Sequence, residues 1–155
     1  MNLLFPLMLA LITGFGSPPV ASDTAEIKRV APSGGELTWL LKDEISKGHE
    51  RGRKTITMMD ATWCSSCKRF IALLKHPSLQ RALRHVTIIT LDVDTWGQRA
   101  FKDGGFAFRK IPSFFRLKPS GFPDGSPISP ASWSGSNPER AAEVFRKFLD
   151  RGSNF

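Results

Sequence analysis

Apolar positions recur along this chain with two periods, and the switches between the periods mark out its elements. Leu37, Leu40, Leu41 and Ile45 fall at the spacing of one helix face, and Gly48 is a natural stop. Trp39 stands off that stripe and is expected to be partly exposed. Thr55-Ile56-Thr57-Met58-Met59 then reads as a buried strand, being β-branched and apolar. Helical spacing returns at Phe70, Ile71, Leu73 and Leu74 and breaks at His76-Pro77, because proline restricts the residue before it and has no N–H for the ladder. His76 suits a helix C-terminus, and Ser78 is expected to cap a shorter piece over residues 79–83.

The run Val86-Thr87-Ile88-Ile89-Thr90-Leu91 is nearly continuous in apolar and β-branched residues, as a central parallel strand covered on both faces would be. Asp92 and Asp94 close it as turn and capping residues, and a helix over 96–101 ends at Asp103-Gly104-Gly105. A further strand begins at Ile111-Pro112, an unusual entrance, since proline is confined to strand starts, edges and bulges. Lys118-Pro119-Ser120-Gly121 reads as a hairpin turn, residues 122–131 as a Pro/Ser/Gly-rich loop, and residues 132–135 as the completion of the sheet's edge. The last helix is well marked: Asn137 as cap, Pro138 at the first position, Glu139 in the first turn, and Ala142, Val144, Phe145, Phe148 and Leu149 as apolar positions.

Before this pattern lies a different stretch. Residues 1–22 carry no charged side chain, residues 3–12 are almost wholly apolar, and Val20-Ala21-Ser22 has the small residues of a cleavage site. This reads as a signal peptide, with Pro and Gly breaking a run already short for a bilayer span. Residues 23–35 follow as a flexible lead-in, and residues 36–155 as one domain. Export implies a periplasmic or otherwise extracytoplasmic site of action, with no stable membrane insertion once the segment is removed. The 155 residues, 41% of them hydrophobic, support one proper core. The formal charge of +8 favours acidic partners, but the basic residues are spread, with only a small cluster at Arg51, Arg53 and Lys54. No nucleic-acid motif is present, and a monomer is expected.

The only two cysteines, Cys64 and Cys67, stand where the strand gives way to a helix. Residues three apart on a helix share a face, so the pair can close a disulfide once the first turn forms. Helix N-termini offer unpaired N–H groups and partial positive charge, which favour a thiolate, and Lys68 and Arg69 add charge nearby. This placement makes Cys64 the attacking sulfur and Cys67 the resolving one. Two other readings stay open: an inert structural disulfide, and half a zinc site. The second needs two more Cys or His ligands, and His76 and His85 do not follow at zinc-finger spacing. No metal and no other cofactor is therefore expected.

Trp63-Cys64-Ser65-Ser66-Cys67-Lys68 resembles the W-C-x-x-C-K signature of the thioredoxin family, and Ile111-Pro112 resembles that family's cis-proline segment. The likeness runs from about residue 36 to residue 149. It is similar above all to exported thioredoxin-like domains such as the C-terminal domain of the bacterial thiol:disulfide interchange reductase. The resemblance implies an α/β thioredoxin fold, a central mixed sheet flanked by helices. It also implies a protein-disulfide oxidoreductase whose substrates are protein thiols and disulfides, served by an upstream redox partner protein. Trp63 would shield one side of the site or simply pack at the strand–helix corner. Pro112 would lie beside the sulfurs, and the Ile111 backbone would pair with an extended substrate segment. Two positions depart from thioredoxin. Met58 stands where that protein has a buried acid; Asp60, closer to the motif, is a candidate substitute for it but is expected in a turn, and Ser65-Ser66 replaces Gly-Pro between the cysteines. The Ile before Pro112 leans the reading towards a reductant rather than a strong oxidant. A non-catalytic module holding a partner or a metal ion is the alternative.

Overall fold

The structure, a computed structural model, describes residues 23–133 and 135–151; the expected signal peptide lies outside them. The elements are β1 (Glu26–Arg29), α1 (Leu37–Glu50), β2 (Lys54–Asp60), α2 (Ser65–Leu73), α3 (Pro77–Ala82), β3 (Val86–Asp92), α4 (Val93–Asp103), β4 (Ser113–Leu117), β5 (Pro123–Ile128), a 3-10 turn (Pro130–Trp133) and α5 (Pro138–Asp150). They build a mixed five-stranded sheet in the order β1-β3-β2-β4-β5. β1 and β2 run parallel to β3, while β4 is antiparallel to both β2 and β5.

Alternation along the central strands divides the core between the two faces. Met58, Ile88 and Phe114 point towards Phe70, Leu79, Trp133 and Phe145. Their neighbours Met59, Ile89 and Phe115 point towards Leu37, Leu41, Phe101 and Phe106. The first cluster also takes in both cysteines. β3 is buried along its full length, as its unbroken apolar run requires.

Three local readings are corrected. Residues 26–29, assigned to the flexible lead-in, form the edge strand β1. Their sequence, Glu-Ile-Lys-Arg, is too short and polar to announce a strand; long-range partners hold it. The buried Arg53 guanidinium donates to Thr87 Oγ1 (3.0 Å), Val86 O (2.8 Å) and Thr24 O (2.8 Å), and lies 3.4 Å from the Glu26 carboxylate. Arg53 is thus a structural cation rather than part of a surface patch. The opposite edge is β5, within the stretch read as a loop, whereas Trp133 is buried in the 3-10 turn. Pro123 and Pro127 are tolerated there because an outer strand has one unpaired side, and the register shifts between Phe114 and Arg116. Finally, His76 begins α3 instead of ending α2: its Nδ1 accepts from Ser78 N–H (3.3 Å), with Pro77 at the first position.

The hairpin turn between β4 and β5 is closed by Gly121 N–H donating to Lys118 O (2.9 Å). Gly121 has φ +88°, and a Cβ there would meet Thr38 O at 2.1 Å, so the turn packs its backbone directly on α1.

Candidate active site

Cys64 is the extended N-cap of α2, and its amide donates to Ala61 O (3.0 Å), folding the chain sharply out of β2. Cys67 lies one turn on, and the two sulfurs are bonded, with Cα atoms 5.3 Å apart. Cys64 Sγ also accepts from the Cys67 N–H at 3.1 Å. One of the orphan donors of the helix start is therefore aimed at the N-terminal sulfur, where it would favour a thiolate in the reduced pair. Both residues are buried, at 4% and 1% exposure.

The other residues singled out by sequence converge here. The Ile111-Pro112 bond is cis. Met59 pairs with Ser113 across the antiparallel β2–β4 ladder, so Pro112 stands opposite the β2 end that leads into the cysteine turn. Ile111 and Trp63 both line a hollow of about 550 Å³. Trp63 is 65% exposed, so it is not a packed corner aromatic. Its indole Nε1–H donates to Asp94 Oδ2 at 2.8 Å.

From sequence Asp94 is a turn or capping residue, and no local signal links it to a tryptophan 31 residues away. A second group sits at the strand ends, where Asp60 and Asp92 are expected from sequence and their link through Arg29 is not. Asp60 Oδ1 accepts from Ala61 N–H (2.8 Å), the expected turn role, but a carboxylate oxygen of Asp60 also lies within 4.8 Å of both sulfurs. Arg29 on β1 reaches Asp60 at 3.3 Å and Asp92 at 3.5 Å. Asp92 accepts from the N–H groups of Asp94 and Thr95 (3.0 Å each) and from the Thr95 hydroxyl (3.1 Å), capping α4. Burial alone would raise the Asp92 carboxyl. The hydrogen bonds from Thr95 and Asp94 and the Arg29 charge outweigh it and hold the group below the ordinary carboxylate value. Met58, where thioredoxin has its acid, is fully buried.

Asp60, Cys64 and Cys67 are also the one grouping among the described residues that could offer three ligand atoms to a metal ion. A closed structural zinc site takes four. The histidines lie elsewhere: His76 faces Glu139 and His85 faces Asp23.

No protein-family model matches the chain, and no curated protein matches its sequence. Solved structures do match in shape. A disulphide isomerase from Xylella fastidiosa Temecula1 superposes with a TM-score of 0.53 at 14% identity, over 76% of this chain and 95% of that one. A mutant thioredoxin from Halobacterium salinarum gives 0.51 at 12% identity, over 89% of this chain and 100% of that one. The DsbD C-terminal domain of Neisseria meningitidis gives 0.49 at 17%, over 72% and 92%. The first two establish the fold: this chain has a thioredoxin-like fold, a mixed five-stranded sheet flanked by helices, with a C-x-x-C disulfide at the start of a helix.

Proposed function

We propose that this protein is an exported thiol:disulfide oxidoreductase that reduces disulfides of protein substrates. The observation that carries the reading is the Cys64–Cys67 disulfide at the N-terminus of α2, with the Cys67 N–H directed at Cys64 Sγ and cis-Pro112 at the neighbouring strand entrance. In the reduced form the Cys64 thiolate attacks a substrate disulfide and forms a mixed disulfide, and one substrate sulfur leaves as a thiolate that takes up a proton. Cys67 gives up its proton and attacks Cys64 Sγ, releasing the second substrate sulfur. Two electrons pass to the substrate, and the Cys64–Cys67 disulfide remains. An upstream dithiol protein then restores the pair by the same exchange. Trp63 covers one side of the site, and the Ile111 backbone pairs with the extended substrate chain. Export is supported by the uncharged, apolar residues 1–22.

The test is a pair of variants. Cys64→Ala is expected to abolish disulfide exchange, and Cys67→Ala to accumulate mixed disulfides visible by mass spectrometry. Wild-type turnover in both would overturn the mechanism. A second reading, a non-catalytic module that holds a metal ion, draws on the Asp60, Cys64 and Cys67 cluster. It requires stoichiometric metal on the reduced protein together with no exchange activity.

A further inference from the structure

Beside the hollow between Trp63 and Ile111 lies a larger one of about 960 Å³, within the range of ordinary ligand sites. The two share Val93, Gln98, Phe108, Arg109 and Lys110 in their walls, so they form one groove. It starts between Trp63, the residue before Cys64, and Ile111, the residue before cis-Pro112, and runs along α4 and the 105–111 segment as far as Ser129 beyond β5. Gly97 shapes its α4 wall: with φ +72° it breaks the helix between Trp96 and Gln98.

The chemistry of the walls is uneven. Their apolar part comes from Val93, Phe101, Phe106 and Phe108, with Phe101 and Phe108 edge to face at 5.3 Å. Lys102, Arg109 and Lys110 line the same groove and are exposed, and none of them is ion-paired among the described residues. One acid, Asp94, faces these cations, and one of its carboxylate oxygens accepts the Trp63 indole N–H. A groove that is apolar inside, cationic along its length and flanked at one end by Trp63, next to Cys64, selects what enters it by charge.

We propose that this groove binds an extended protein segment bearing a carboxylate side chain close to its reactive cysteine. The inference rests on the exchange reading above and adds its specificity. The cysteine lies at Cys64 between Trp63 and Ile111, apolar side chains of the segment lie on Phe108 and Val93, and its carboxylate meets Arg109, Lys110 or Lys102. A segment with lysine or arginine in the same position is repelled.

Two short peptides with serine in place of the cysteine, identical except for Glu or Lys at the flanking positions, test the binding by calorimetric titration of the full chain. The Glu peptide is expected to bind roughly tenfold more tightly at low salt, and raised salt should shrink the ratio. The preference should invert in the R109E/K110E double variant. Equal affinities at low salt, or a preference that survives charge reversal, would overturn the proposal. Turnover of the matching cysteine-pair peptides, oxidised to their disulfides, is read separately. Selective binding without turnover would leave the groove standing and sink the exchange reading, whereas turnover without selectivity would do the reverse.

Discussion

On the side of the sheet that carries α2 and α5, four large rings close around one another: Phe70 lies 4.5 Å from Phe114 and 5.5 Å from Phe145, and Trp133 lies 5.4 Å from Phe145. On the side that carries α4, Phe101, Phe106, Phe108 and Phe115 also meet edge to face. There Phe108 stays half-buried and a groove opens past it. The disulfide is built onto the closed side, as the buried cysteines show, while Trp63 and the basic residues belong to the open side. The contrast separates two tasks. Holding two sulfurs in bonding geometry calls for a packed support, and admitting a partner chain calls for surface left uncovered.

Truncation should expose this difference most strongly. Phe70→Ala removes the ring that touches Phe114, Phe145 and Trp133, and is expected to cost about 3–5 kcal/mol in urea unfolding. Phe108→Ala, at a half-buried position on the open side, should cost about 1 kcal/mol. Similar losses at the two sites would erase the distinction. Arg53→Met comes next, at about 3 kcal/mol, because it strips the partner from Val86 O, Thr87 Oγ1 and Thr24 O, which join β1 to the sheet.

Asp60 and its neighbours give subtler tests. A carboxylate within 4.8 Å of the sulfurs opposes a thiolate by like charge, and Arg29 offsets part of that. Asp60→Asn should therefore lower the thiol pKa of reduced Cys64, followed by ultraviolet thiolate absorbance. An upward shift would show that the carboxylate acts there in another way. Asp92 predicts a pH effect of smaller size. Its folded carboxyl lies below the ordinary value, so it adds stability above the unfolded carboxylate pKa of about 4 and loses it as pH falls through the folded value. The unfolding midpoint should drop less between pH 5 and pH 3 in Asp92→Asn than in the natural chain.

The parts of this architecture that sequence announces are those whose signal is local. β2 and β3 are runs of β-branched and apolar residues, α5 carries its own Asn137 cap and Pro138, and the C-x-x-C pair declares itself by spacing. Both edge strands were hidden. β1 is polar and held by Arg53 from the turn that leads into β2, and β5 reads as loop because its prolines and glycine are tolerated only at an edge. The same limit applies within the site. Cys64, Cys67, Trp63, Ile111 and Pro112 belong to two short motifs, whereas the Trp63–Asp94 bond and the Arg29 link between Asp60 and Asp92 join residues brought together only by the parallel sheet.

The reduction potential of the Cys64–Cys67 pair bears most directly on the central claim, that this closed, helix-start disulfide serves a reductant. Equilibrated with dithiothreitol or glutathione buffers, the pair is predicted to lie near the thioredoxin level of about −270 mV. A value near −120 mV, that of a strong disulfide donor, would contradict it.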